Sequence, residues 1–116
     1  MKNLIAALED NDDPIISPAG SCTYAVKSYP TYLADEPEWA SRAEKVAARM
    51  QDLTSFIVNK LGVVDVGASL QGRAVYHPSC SLARKLGVKD EPLMLLKNVR
   101  GLELLTFAEQ DTCCGF

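Results

Sequence analysis

The chain has 116 residues, 47% of them hydrophobic and 23% charged, with a formal net charge of −3. That length and apolar content suffice for a compact core, while the acidic balance offers no basic field for nucleic acid or an anionic membrane. No apolar run reaches the roughly 20 residues of a membrane-spanning helix, and the N-terminus turns acidic at Glu9-Asp10, too soon for a secretory signal, so the cytosol is the expected compartment.

Leu4, Ile5 and Leu8 recur at helical spacing and predict a helix over residues 2–10, ended by Asn11-Asp12-Asp13-Pro14. Ile15-Ile16 reads as a short buried strand running into Ser17-Pro18-Ala19-Gly20-Ser21, a loop that delivers Cys22 to the start of the next helix. A helix N-terminus presents unpaired N–H groups and favours thiolate. Residues 23–33 are expected to be helical with an interruption at Pro30. Asp35-Glu36-Pro37-Glu38 reads as a helix start, with Asp35 as N-cap and proline in the first turn. Trp39, Ala43, Val46, Ala47 and Met50 then form its apolar face, and Arg42, Glu44, Lys45 and Arg49 its solvent face.

A helix restarting at residues 52–55 carries Phe56, Ile57 and Leu61 and closes on Gly62. Residues 63–72 read as a linker, and Arg73-Ala74-Val75-Tyr76 as a short strand leading into His77-Pro78-Ser79-Cys80. A helix through Leu82 and Leu86 stops at Gly87. Another starts at Asp90-Glu91-Pro92 and stops at Gly101, and residues 102–107 form a strand aimed at Cys113-Cys114-Gly115. Helices alternating with strands, and cysteines in the loops after the strands, predict an α/β fold: a small, mostly parallel sheet flanked by helices, with cysteine loops at the strand carboxyl ends.

Three stations carry the chemistry: Cys80 after a strand, the Cys113–Cys114 pair, and Cys22. Adjacent side chains on extended backbone diverge, so both thiols of the pair meet one metal only if the backbone turns, and Gly115 is the residue that accepts the necessary positive φ. Clustered thiolates select iron–sulfur clusters or zinc, and spacing does not separate these. Buried structural thiols are the plain alternative. Disulfides are not expected in a reducing compartment, and without a C-x-x-C a thiol-redox enzyme is a weaker reading. His77, three residues before Cys80, is read as ordering the loop rather than as a ligand. Arg84, one helical turn beyond Cys80, faces a thiolate, a carboxylate substrate or solvent.

Ser17-Pro18-Ala19-Gly20-Ser21-Cys22, Tyr76-His77-Pro78-Ser79-Cys80 and Cys113-Cys114-Gly115-Phe116, in that order, resemble the cysteine-rich (CCG) domain of iron–sulfur oxidoreductases. Relatives of that kind include the lactate-utilisation iron–sulfur protein, the glycolate oxidase iron–sulfur subunit and the cysteine-rich component of heterodisulfide reductase. The resemblance implies a [4Fe–4S] cluster, or zinc in some repeats, with Cys80, Cys113 and Cys114 as metal ligands and Cys22 as a further cofactor-binding cysteine. It also implies electron relay in oxidation of a 2-hydroxy acid such as lactate or glycolate, or in a heterodisulfide reductase-like reaction. Flavin or other iron–sulfur subunits are the implied partners. In family terms residues 1–68 are the C-terminal part of one cysteine-rich repeat and residues 69–116 the N-terminal part of the next, so a fragment is expected. Ser81 stands where the lactate-utilisation relatives usually have a second histidine. A zinc-stabilised interaction module without redox activity is the other reading carried forward.

Overall fold

The structure, a computed structural model, describes residues 1–110, 112, 113 and 115. The chain forms two compact units, Met1–Leu53 and Thr54–Phe116. Each is built on one pair of parallel strands flanked by helices, an α/β arrangement. Among the described residues no helix is long and apolar enough to cross a membrane.

In the first unit, α1 (Lys2–Leu8), β1 (Ile15–Ser17), α2 (Gly20–Lys27), α3 (Tyr29–Tyr32) and α4 (Pro37–Arg49) precede β2 (Met50–Asp52). The core gathers Ile5, Val26, Leu33, Ala43, Val46 and Met50, with Trp39 and Tyr29 packed against it. Ala43, Val46 and Ala47 are buried together because steps of three and four residues return to the same face of α4. Pro37 occupies the first turn, where its missing N–H costs no hydrogen bond. The cap expected at Asp35 does not form there. Glu36 stands at the N-cap with no side-chain cap bond, and its carboxylate instead pairs with Lys2 at 2.5 Å.

Two further expectations are corrected in this unit. Met50–Asp52 is a strand rather than the end of one helix and the start of another, paired with β1 so that Ile15 faces Met50 and Ser17 faces Asp52. Three residues are too few to show a period of two, and pairing with β1 overrides local propensity. Arg42 does not face solvent alone: its guanidinium lies 3.8 Å from the Trp39 ring centroid, and its Nε donates to Glu9 Oε2 at 2.9 Å. Three residues apart on a helix are surface neighbours, so the Trp39–Arg42 stack follows from register. That hydrogen bond holds the Glu9 carboxyl below its usual range. Arg49 likewise turns back on α1, donating to the carbonyls of Leu8 and of Asp13, the latter at 3.0 Å. A terminal arginine thereby satisfies the open end of α1.

The second unit begins with α5 (Leu53–Ser55 overall, from Thr54 within this unit) and a π-helical turn at Phe56–Lys60. β3 (Ser69–Val75), a second π-helical turn (Ser81–Lys85), α6 (Glu91–Lys97) and β4 (Arg100–Leu105) follow. The linker expected over residues 63–72 is therefore partly strand, and Gly101 lies inside β4 rather than before it. A register irregularity between Ser69 and Gly72 breaks the alternation that would have revealed the longer β3. Beyond it the strands pair regularly and in parallel, from Gly72 with Leu102 to Val75 with Leu105.

The two π-helical turns end alike. Leu61 and Leu86 donate to the carbonyls of Phe56 and Ser81, five residues back, at 3.1 and 3.0 Å. Each turn then leaves through a left-handed glycine, Gly62 or Gly87. The sequence Lys-Leu-Gly-Val recurs at both exits, so the helix ends expected at these glycines are found, with a wider last turn than an α-helix has.

Candidate metal centre

Because β3 and β4 run parallel, their carboxyl ends lie at the same edge of the sheet, where α/β folds place ligands. The loop after Val75 carries Cys80, and the segment after Leu105 carries Cys113. Ser79 prepares the entry of the π-helical turn: its Oγ accepts the Leu82 N–H at 3.2 Å and its carbonyl accepts the Ala83 N–H at 2.9 Å. Cys80 therefore sits at the N-cap of a defined turn, half-buried. Cys113 is exposed.

The two sulfurs meet. Cys113 Sγ accepts hydrogen bonds from the Gly115 backbone N–H and from the Cys80 thiol. These two bonds, in that order, pull the Cys113 thiol below its ordinary value; slight desolvation opposes them, and the positive charge of Arg84 adds to the pull. Gly115 has φ +86°, the left-handed conformation for which its lack of a Cβ suits it, and the turn it makes brings its N–H back to the sulfur two residues earlier. Backbone N–H groups donating to sulfur are one of the levers by which proteins tune thiolate metal centres.

A cavity of about 310 Å³ opens beside Cys80. Arg84, Lys89, Asp90, Gln110 and Thr112 share its wall with Cys80. Lys89, Gln110 and Thr112 had no signal in the sequence beyond nearness to the cysteine motifs. Lys89 reaches the wall because the left-handed Gly87 reverses the chain just before it.

Of the four cysteines expected to bind a cofactor, Cys80 and Cys113 are brought together. Cys114, expected as a metal ligand, lies outside the described residues. Cys22 is exposed in the first turn of α2, in the first compact unit. His77 is exposed, and among the described residues no group of three or more His, Cys, Asp and Glu side chains is placed to hold a metal ion. The donor set nevertheless suits a soft or borderline metal: two converging sulfurs, one biased toward thiolate, with a third cysteine adjacent in sequence.

The thiol bias has a direct readout. In metal-free protein Cys113 is expected to alkylate with a pH midpoint below the ordinary thiol value of about 8.5, followed by peptide mass mapping. Lowering the pKa keeps thiolate present at lower pH, so Cys80→Ala, which removes one donor, should move the midpoint up. Identical profiles for both proteins would deny Cys80 that role.

Residues 74–116 match the family described as CCG, cysteine-rich domain. Over all 116 residues the chain is 98% identical to the uncharacterized protein YkgE of Escherichia coli (strain K12), covering 48% of that protein. It is 48% identical to lactate utilization protein A of Geobacillus kaustophilus (strain HTA426) and 45% identical to that of Bacillus subtilis (strain 168), again over its full length and 48% of theirs. The chain thus spans about half the length of the curated relatives it matches. No solved structure matches it. Residues 74–116, which hold the converging cysteines, are thus similar to the CCG cysteine-rich domain, and the whole chain is similar to about half of a lactate utilization A protein.

Proposed function

We propose that this chain contributes thiolate ligands to an iron–sulfur centre of a lactate-utilising oxidoreductase, with Cys80, Cys113 and Cys114 as the ligands. The observation that carries the reading is the Cys80–Cys113 hydrogen bond, which joins sulfurs from loops 33 residues apart at one end of a parallel strand pair. Buried structural thiols would not leave Cys113 exposed. The names of the relatives supply the lactate assignment. Glycolate oxidation and heterodisulfide reduction remain the neighbouring reactions to compare.

A bound [4Fe–4S] cluster supplies one-electron transfer. The chain's own part is to hold and tune it. Cys80 is fixed by the Ser79-capped turn, Gly115 orients the Cys113 sulfur through its N–H, and Arg84 contributes positive charge. A tetrahedral thiolate site takes four ligands; a residue from the remaining half of the relatives' length is the candidate for the fourth, and Cys22, in the first unit, is a separate candidate cofactor-binding cysteine. Electrons pass to and from a flavin or another iron–sulfur subunit in the cytoplasm. Residues 1–68 and 69–116 are taken as adjoining parts of two cysteine-rich repeats, a division of descent rather than of compactness.

Anaerobic reconstitution with iron and sulfide tests this. The expected result is broad visible absorption with bound iron, lost in Cys80→Ser, Cys113→Ser and Cys114→Ser. Protein that stays colourless and iron-free overturns the reading. Zinc bound as purified, with no iron uptake, would establish the structural-module alternative instead.

A further inference from the structure

The two units differ in how they bury apolar surface. Among the described residues, seven of the buried hydrophobic side chains lie in the first unit and Val88 alone in the second. The second unit instead exposes Val66, Leu70, Val75 and Met94. A unit of this size is marginal even with a full core of its own, and contiguous apolar surface left open marks a place where something packs. The deficit centres on the strand pair. β4 sets Leu102 and Leu104 on one face of the sheet, opposite Gly72 and Ala74 of β3. Those small partners leave the leucines half-buried, and a groove of about 370 Å³ opens between α6 and β4, lined by Leu93, Leu102, Leu104 and Leu105. Close-packed interiors hold few voids larger than a water molecule. Among the described residues β3 and β4 pair only with each other; two strands are fewer than a sheet needs to stand alone, and parallel sheets are covered on both faces.

We propose that the groove between α6 and β4 is the seat of an apolar segment from the half of the relatives' length that this chain does not span, and that this segment completes the core of the second unit. The relatives supply the occupant: the chain matches them from end to end yet covers 48% of each, so a comparable length of the same polypeptide is there to fold against it. Topology favours that occupant over a second copy. Parallel strands are added through crossover connections within one chain, whereas a two-fold axis joins identical edges antiparallel. The groove also shares Leu93 and Gln110 with the cavity beside Cys80. The seated segment therefore closes one flank of the cysteine cavity against water.

Hydroxyl-radical footprinting read by mass spectrometry tests this, comparing the 116-residue chain with the full-length Escherichia coli protein that is 98% identical to it. Sedimentation velocity fixes the oligomeric state of each, and an added reporter peptide normalises the radical dose. Labelling of Leu93, Leu102 and Leu104 should fall severalfold in the full-length monomer. Equal labelling in the two proteins overturns the proposal. So does protection that belongs to a dimer of either protein and is lost on dilution to monomer, which would make a second copy the occupant. A second measurement uses Leu104→Asp in both proteins. Burial of Leu104 by the seated segment predicts a larger fall in the melting midpoint of the full-length protein than in that of the chain, and a fall no larger there overturns the proposal. Where the variant does not fold, footprinting of the parent proteins still decides. Neither measurement depends on iron, so failure of the iron–sulfur reading leaves this proposal standing, and its own failure leaves that reading untouched.

Discussion

Gly115→Val is expected to weaken iron retention by roughly 5- to 30-fold, the equivalent of the 1–2 kcal/mol that a left-handed conformation costs an L-residue. Among the described residues, no atom lies within 4 Å of where a Cβ at Gly115 would stand. Crowding therefore contributes nothing, and the whole effect comes from φ +86°. A valine relieves that strain by rotating about the N–Cα bond next to the amide that donates to Cys113 Sγ, so the turn and the sulfur hydrogen bond are lost together. Asparagine tolerates the left-handed region far better than β-branched residues. Gly115→Asn should therefore keep most of the iron, and Gly115→Ala should fall between the two. Iron per chain after gel filtration measures this. In metal-free protein the alkylation midpoint of Cys113 should rise in the same order. If asparagine proves as damaging as valine in both measurements, conformational strain is not what ties Gly115 to the site.

The site was more legible in the sequence than the fold around it. Cys80, the Cys113–Cys114 pair and Gly115 announce themselves by residue type, because soft-metal chemistry needs sulfur and a reversal at that point needs glycine. That Cys80 and Cys113 meet also followed from alternation of helix and strand, which implies a parallel pair with both loops at one edge. What stayed hidden depends on tertiary contact. β2 is three residues long and exists by pairing with β1. The first half of β3 is masked by a bulge. Arg42 and Arg49 look like solvent charges until Trp39, Glu9 and the end of α1 are seen beside them. The π-helical turns were read as ordinary helices, because a one-residue widening of a five-residue turn leaves no periodic signature. Lys89 and Thr112 line the cavity with Cys80, a tertiary placement that a stop at Gly87 alone does not specify.

Ile5→Ala is expected to cost the first unit about 2–5 kcal/mol, the range for deleting a large aliphatic side chain from a packed core. Ile5 is fully buried, and α2, α3 and α4 contribute to the same cluster through Val26, Tyr29, Ala43 and Val46. Few neighbours can collapse into the gap. Ala43 is already minimal, Val46 is held in the middle of α4, and α1 is tied down at its end by Arg49. That places the cost in the upper part of the range. A unit of this size has little to lose: at roughly 0.05–0.15 kcal/mol per residue, 53 residues hold about 3–8 kcal/mol in all. Ile5→Ala should accordingly remove most of the cooperative unfolding transition at room temperature. The chain's single tryptophan, Trp39, packs against this cluster, so its fluorescence during urea unfolding reports on the first unit directly. Leu4→Ala is the matched comparison. It removes a similar side chain from the neighbouring position of the same helix, but one 41% exposed, and should cost under about 1 kcal/mol. Equal midpoints for the two variants would mean that α1 is not seated in the core as the packing of Ile5 indicates.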